Sequence, residues 1–267
     1  MPELAELKFT ADFINEASKG QTYIGVQKNP IHKCEDIDAP WFQDKQFTVT
    51  SESRGKELIV WMHCDNVDLP IQMTMGMTGH FKVTTTGHEP KHAHLKFYRK
   101  NGTTLSFVDV RRFGKWKAAG LWNDKRGPDP TKEFKSFKEN ILVNINKAAF
   151  NHPIYLLLMN QKYFNGIGNY LRAEILYRLP YLNPFLSARE AILEEPKILE
   201  LCRDIPNLAY VRGGGRIKDW KNPFGKEPGR FMKCYGNDSM LKIKDKNARM
   251  FWYDPKWEGF EKTKSDR

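Results

Sequence analysis

Gln161-Lys162-Tyr163-Phe164-Asn165-Gly166-Ile167-Gly168-Asn169-Tyr170-Leu171-Arg172-Ala173-Glu174 is the stretch on which the reading of the fold turns. Asn165-Gly166-Ile167-Gly168 interrupts the chain, because glycine gives up the most backbone freedom on joining a helix. Residues 169–179 then resume a helical pattern that Pro180 stops. Upstream, Ile154 to Leu158 mark a shorter helix, and Phe134, Phe137, Ile141, Leu142, Ile145 and Ala149 mark another. The second half of the chain therefore reads as helical. Only its last part, residues 230–254, returns to strand character, with Met250-Phe251-Trp252-Tyr253 as a β-rich run.

Working outward toward the start, Gly127-Pro128-Asp129-Pro130 is a cluster of helix and strand breakers and places a linker at residues 126–135. Before it the pattern is different. Gln46-Phe47-Thr48-Val49-Thr50, Leu58-Ile59-Val60-Trp61-Met62 and His94-Leu95-Lys96-Phe97-Tyr98 are short strand-like runs, and glycine-containing turns such as Asn101-Gly102 separate them. Residues 3–19 read as an amphipathic helix on Leu4, Leu7, Ala11, Ile14 and Ala17, with Gly20 as its stop. Phe9 and Phe13 fall outside that stripe and point to a second packing surface. The expected fold class is α+β, with an N-terminal helix leading into a two-sheet β-sandwich and a helical domain after it. The expected domains are residues 1–125 and 136–267 on either side of the linker.

The chain has 267 residues, enough for two modest cores. Its formal net charge of +11 suits a polyanionic partner, of which nucleic acid is the commonest. No apolar stretch reaches membrane-spanning length, and the start lacks the pattern of a secretory signal, so a soluble intracellular protein is expected, with no nuclear address legible. The four cysteines Cys34, Cys64, Cys202 and Cys234 include no pair at CxxC spacing, and His63-Cys64 is too short a cluster to hold a metal. Neither a metal nor an organic cofactor is expected.

The chain opens Met1-Pro2-Glu3-Leu4-Ala5-Glu6-Leu7. Removal of Met1, which a small second residue favours, would leave a proline with a free secondary amine. An α-amino group has a pKa of about 7.7–8.0, so a sizeable neutral, nucleophilic fraction exists near pH 7. Its attack on an aldehyde-level carbon gives an iminium ion, a strong electron sink, and the adjacent Glu3 can supply or take a proton.

Four segments, in this order along nearly the whole chain, resemble the formamidopyrimidine-DNA glycosylase and endonuclease VIII family. Pro2-Glu3-Leu4-Ala5-Glu6-Leu7 resembles its catalytic N-terminus. Arg54-Gly55-Lys56-Glu57-Leu58 resembles its catalytic-lysine strand. Asp109-Val110-Arg111-Arg112-Phe113-Gly114 resembles its DNA-intercalation loop. The 161–178 stretch resembles its helix–two-turn–helix, placed at about residues 153–179. Cys234-Tyr235-Gly236 followed by Arg249-Met250-Phe251-Trp252 is similar to the zincless finger of the animal Nei-like branch, a β-hairpin at about residues 229–255. Two departures stand out: Leu4-Ala5 replaces the Gly-Pro usual in that branch, and Ala248 stands where the hairpin turn usually has a glycine.

The resemblance implies a catalytic set of Pro2, Glu3, Lys56 and Arg249. Lys56 would contact the backbone near the lesion and assist proton transfer. Arg249, at a hairpin tip, would reach phosphates flanking a flipped nucleotide. It implies a DNA-binding set of His92, Asn169, Arg111, Met77, Phe113 and Arg216. Met77, Arg111 and Phe113 would wedge into the base stack, since an enzyme that works on a base must flip it out and fill the gap. Asn169, at a helix start, would offer donors to a phosphate. Arg216 would read the base from a mobile loop around Arg212-Gly213-Gly214-Gly215-Arg216. Glu6 is given a structural part, anchoring the first helix.

The expected function is that of a bifunctional DNA glycosylase and abasic-site lyase for oxidised bases, acting as a monomer on damaged duplex or single-stranded DNA through a Pro2 Schiff base with β,δ-elimination. The alternative is a non-catalytic damaged-DNA-binding protein on the same scaffold, with its N-terminus blocked. A basic RNA-binding protein fits the charge and explains none of the ordered motifs.

Overall fold

Helix α1 (Leu4–Ser18) buries Leu4, Leu7, Ala11 and Ile14, one face of a 3.6-residue period, and ends at Gly20 with φ +67°. The computed structural model describes residues 2–37, 45–217 and 220–261; Met1 lies outside them. The chain divides into two units. The first is Met1–Asn123 with Arg216–Glu227, and the second is Asp124–Gly215 with Pro228–Arg267.

In the first unit, eight strands follow α1: β1 (Tyr23–Lys28), β2 (Thr48–Arg54), β3 (Glu57–Cys64), β4 (Val67–Thr74), β5 (His80–Thr85), β6 (Ala93–Arg99), β7 (Thr103–Val108) and β8 (Lys115–Ala118). They form two antiparallel sheets, in the orders β1-β6-β7-β5 and β2-β3-β4-β8. The inward residues of both share one core. Val49, Leu58, Val60, Met62, Ile71 and Met73 come from one sheet, and Phe81, Leu95, Phe97, Leu105 and Phe107 from the other. Burial of each such side chain contributes roughly 1.5–3 kcal/mol, which fixes register wherever a strand alternates, as β2 does. Gly102, at φ +78°, turns β6 into β7. Phe9 and Phe13 do find a second surface. Phe9 lies 6.2 Å from Trp220 and 6.4 Å from Phe224, and Phe13 lies 5.8 Å from Phe224. These ring contacts tie residues 216–227 to the first unit, although they lie in the C-terminal half of the sequence.

The second unit contains α2 (Phe134–Asn144), α3 (Ile154–Leu157), α4 (Asn169–Tyr177), α5 (Ala188–Glu194), α6 (Lys197–Val211) and a hairpin of β9 (Leu241–Lys244) and β10 (Met250–Tyr253). Helix α2 is shorter than its apolar pattern suggests. Ile145 is its C-cap, Ala148–Asn151 forms a separate 3₁₀ turn, and Leu142 faces solvent beside Val143. The breaker cluster is fastened rather than slack. Gly127 donates its amide to the Gln161 carbonyl and accepts from Asn165 Nδ2, both at 2.9 Å. Asp129 is buried and accepts the Thr131 amide at 2.7 Å, leading into α2. Two helices carry no expectation above: α5, held by a Ser187–Glu190 capping box, and α6, which contains Pro206. Residues 230–240 form turns rather than strand, so the hairpin is confined to Leu241–Lys244 and Met250–Tyr253.

Candidate active site and nucleic-acid interface

Pro2 and Glu3 are buried at the start of α1. Glu3 is the N-cap, and Glu6, the third helical residue, accepts the Glu3 amide on Oε2 at 2.9 Å; the two carboxylates form a reciprocal capping box. Glu6 is fully buried, and its own carbonyl accepts the Thr10 hydroxyl at 2.8 Å. The box sets the direction in which the chain enters α1, and so orients Pro2. It also seats two carboxylates at the positive end of the helix dipole.

Lys56 lies in the turn that joins β2 to β3, not on the strand end read from the sequence. Arg54 pairs with Glu57, which leaves a two-residue loop of Gly55 and Lys56. Gly55 takes φ +58°, a conformation open to glycine at little cost.

The segments carrying Met77 and Phe113 meet. Gly76 has φ +61°, and a Cβ there would come within 2.5 Å of the Gly114 nitrogen and 2.7 Å of the Phe113 carbonyl carbon. Any side chain at 76 would push the two loops apart. Between β7 and β8 the chain is organised by Asp109, which is fully buried. Its Oδ1 accepts the Thr78 hydroxyl and the Arg111 amide (3.2 Å), and its Oδ2 accepts the Gly114 amide (2.7 Å). The Asp109 amide donates to the His92 carbonyl at 3.0 Å, which places half-buried His92 at the foot of the same loop. Anchored at both ends, the loop lifts its middle into solvent. Val110 is 57% exposed and Phe113 53%, and the Arg111 guanidinium lies 4.7 Å from the Phe113 ring centroid. A phenyl ring left half in water on a braced loop is not core packing. Met77 is half-buried.

Behind the loop, His32 stacks on Trp116 with centroids 4.2 Å apart and lies 5.0 Å from the His94 ring. His94 Nε2 donates to the Asp109 carbonyl at 2.9 Å, and His32 Nδ1 accepts the Cys34 amide at 3.2 Å. Burial is the main cause that lowers both histidine pKa values; His94 lowers that of His32 further and His92 that of His94, so both rings are neutral near pH 7.

In the second unit Asn169 is the first residue of α4, after the N-cap Gly168. Its Nδ2 donates to the Met250 carbonyl at 3.0 Å, and its Oδ1 accepts Arg172 Nη2 at 2.6 Å. Arg172 is fully buried and forms an ion pair with buried Asp245 at 2.9 Å. Asp245 closes the hairpin tip by accepting the amides of Asn247 and Arg249 on Oδ1 at 2.9 and 3.0 Å. Ala248 itself adopts φ +59°, so the turn keeps the left-handed residue that a glycine would supply, at a cost of about 1 kcal/mol. Arg249 is exposed and lines a cleft with His152, Asn160 and Lys246. Arg216 is exposed and begins the segment 216–227 of the first unit.

The finger has an anchor with no forecast in the sequence reading. Glu174, fully buried on α4, accepts the amides of Lys233, Cys234 and Tyr235 at 2.8–3.0 Å and pairs with Arg178 at 2.6 Å. Arg178 in turn donates to the Phe231 carbonyl at 2.7 Å. Cys234 is buried, its thiol pushed up by burial, and donates to the Trp252 carbonyl. Among the described residues, no group of three or more His, Cys, Asp or Glu side chains could hold a metal ion.

The family model for the formamidopyrimidine-DNA glycosylase N-terminal domain matches residues 1–116. Endonuclease 8-like 1 of Homo sapiens is 33% identical over 288 residues, covering 95% of this chain and 72% of that protein. The chain belongs to the formamidopyrimidine-DNA glycosylase and endonuclease VIII family. The Mus musculus Endonuclease 8-like 1 is likewise 33% identical over 95% of the chain. The crystal structure of MutM (Fpg) from Thermus thermophilus superposes with a TM-score of 0.78 at 23% identity, over 97% of this chain and 99% of that one. A Lactococcus lactis Fpg complex with abasic-site DNA gives 0.77 at 22% identity, over 96% and 98% of the two chains. The last two establish the shared α+β fold.

As a member of this family the chain is an enzyme of the DNA glycosylase class. Sequence reasoning does not single out Asp109, Arg172, Glu174 and Asp245 as site-building residues. Asp109 has a legible signal, an Asp followed at short range by the backbone amides its carboxylate can accept. Asp245 carries a similar local signal in Asn247 and Arg249, and Glu174 and Arg178 stand at i,i+4 spacing, but the burial of Arg172, Glu174 and Asp245 depends on partners distant in sequence, which no local spacing announces.

Proposed function

We propose that this family member is a bifunctional DNA glycosylase and abasic-site lyase for oxidised bases in base excision repair, with Pro2 as its nucleophile. The observation that carries the reading is the buried Pro2-Glu3 pair held by Glu6 at the N-terminus of α1. In the chain that begins at Pro2, the amine attacks C1′ of the damaged nucleotide, the glycosidic bond breaks, and its electrons leave with the base. Glu3 delivers a proton to the ring oxygen as the sugar opens and the iminium forms. The cation acidifies the C2′ proton. Its removal expels the 3′ phosphate, and a second elimination expels the 5′ phosphate, leaving a one-nucleotide gap. Lys56, at its turn, contacts the backbone near the lesion. Met77, Arg111 and Phe113 fill the space the base vacates, His92 and Asn169 hold phosphates, Arg216 reads the base, and Arg249 grips the phosphates that flank the flipped nucleotide.

Borohydride reduction tests the proline step. The protein beginning at Pro2 is expected to form a stable covalent adduct with abasic DNA, because reduction turns the iminium into an amine. A tag fused directly to Pro2 acylates the nitrogen and abolishes trapping; full trapping by the fusion would sink the mechanism. Lesion-specific binding without trapping in the unfused protein would favour the damage-binding reading. Glu3→Gln is expected to remove base excision while sparing much of the lyase step on pre-formed abasic sites, where no base has to leave. Equal loss of both would make Glu3 structural.

A further inference from the structure

Arg249 owes its position to a buried charge one layer beneath it. Its backbone is fixed by Asp245, which accepts the Arg249 amide and donates its own amide to the Arg249 carbonyl at 2.9 Å. Asp245 has no side-chain freedom to spare, since it is buried against Arg172 of α4. Arg172 is in turn over-determined. Its Nη1 donates to the Tyr155 carbonyl of α3 at 3.1 Å and its Nη2 donates to Asn169 Oδ1. The guanidinium lies 5.2 Å from the Phe251 ring and 5.8 Å from the Tyr155 ring. One planar group therefore ties α3, the start of α4, β10 and the hairpin tip together, which a flexible ammonium on the same stem could not do. Burying such an ion pair is an expensive way to gain stability, and apolar residues of the same volume would serve a core as well. What the pair does supply is a unique geometry at the tip.

We propose that Arg172 is a positioning residue for base excision, acting through Asp245 to hold the finger turn in the one conformation that presents Arg249 to the phosphates. The proposal rests on the reading of Arg249 as a phosphate contact. It makes a coupled Asn169–Arg172–Asp245–Arg249 chain do in this hairpin what a bound metal could do in another, namely hold the tip.

A double-mutant cycle read by single-turnover base excision tests it. Arg249→Ala and Arg172→Met are each expected to slow excision at least about tenfold, and the double variant to be slower than Arg172→Met alone by less than about twofold, because the second change removes an interaction already lost. A merely structural arginine would give losses that multiply, and multiplied losses overturn the proposal. Arg172→Lys restores the charge without the fork and is expected to recover part of the rate. Asp245→Asn keeps the acceptor for the Arg249 amide while removing the charge. It is expected to show the same non-additivity with Arg249→Ala, and it decides the matter if Arg172→Met does not fold. Full activity of both Arg172→Met and Asp245→Asn, alongside a slow Arg249→Ala, would end this proposal and leave the phosphate contact standing. Full activity of Arg249→Ala would end both.

Discussion

At the scale of single residues, buried side chains set the shape of the exposed loop between β7 and β8. Asp109 is a loop builder: four hydrogen bonds, from Thr78, Arg111 and Gly114 and to His92, brace the loop on which Phe113 stands half exposed. The histidines behind it have a consequence for pH. His32 and His94 both have lowered pKa values in the fold, chiefly through burial, whereas an unfolded histidine titrates near 6.5. Above that value both states are neutral, and the packing stabilises in full. As the pH falls below it, the unfolded chain takes up protons that the folded chain refuses, so stability declines until the lowered folded values are reached. The melting temperature should therefore drop between about pH 7 and pH 5. His32→Phe keeps a ring on Trp116 and removes one of the two groups, so it should flatten part of that drop. An unchanged slope in the variant would show that His32 does not carry it.

At the scale of elements, the finger shows how a hairpin of two four-residue strands is held without a metal cluster among the described residues. Tyr155, Phe185, Phe251 and Tyr253 pack ring against ring, with Tyr155 and Phe251 stacked at 4.7 Å. Beneath the preceding turns, the Glu174 carboxylate gathers three successive amides. Glu174→Gln turns an amide donor toward donors and unpairs Arg178, and should cost about 3 kcal/mol or more of stability, read from urea unfolding. Amide hydrogens of residues 233–235 should exchange faster in the variant. Chelators should leave the wild-type melting temperature unchanged, and stoichiometric zinc in the purified protein would overturn this account of the finger. The same elements show what a sequence can and cannot disclose. Helix α1 is legible because Leu4, Leu7, Ala11 and Ile14 mark one face, and β3 because its apolar run is short and bounded by turns. Helix α6 is not, although Ile198, Cys202, Ile205 and Ala209 lie on one side, because Pro206 reads as a breaker. The anchors of the finger are illegible for a different reason. An Arg or Glu on a helix is ordinarily solvated, and burial of Arg172 and Glu174 depends on partners 73 and about 60 residues away.

At the scale of the whole molecule, the net charge of +11 and the exposed cations converge on one property. The proposed site is readable from the sequence as a set of motifs in order, each weak alone, while the charge that serves them is spread along the chain. Arg111 and Arg112 on the β7–β8 loop, Lys115 at the start of β8, and Lys246 and Arg249 at the hairpin tip are exposed. None of the five is in an ion pair with a carboxylate among the described residues. Cations held without partners on a folded surface gain most from phosphates, and each phosphate neutralised releases condensed counterions. If about five phosphates are engaged, log K should fall against log salt with a slope near −4.5, a loss of about 500-fold between 50 and 200 mM. Arg112→Gln and Lys246→Gln should each shallow that slope by about 0.9 and weaken binding to all DNA alike. Phe113→Ala should do the opposite. It removes the proposed apolar wedge and no charge, so it should lower the preference for lesion-containing over intact duplex while leaving the salt slope where it was. Fluorescence anisotropy titrations on the two duplexes at several salt concentrations separate the effects. A slope that changes with Phe113→Ala and not with Arg112→Gln would mean that the loop binds DNA through some contact other than the one its exposed phenyl and unpaired guanidinium suggest.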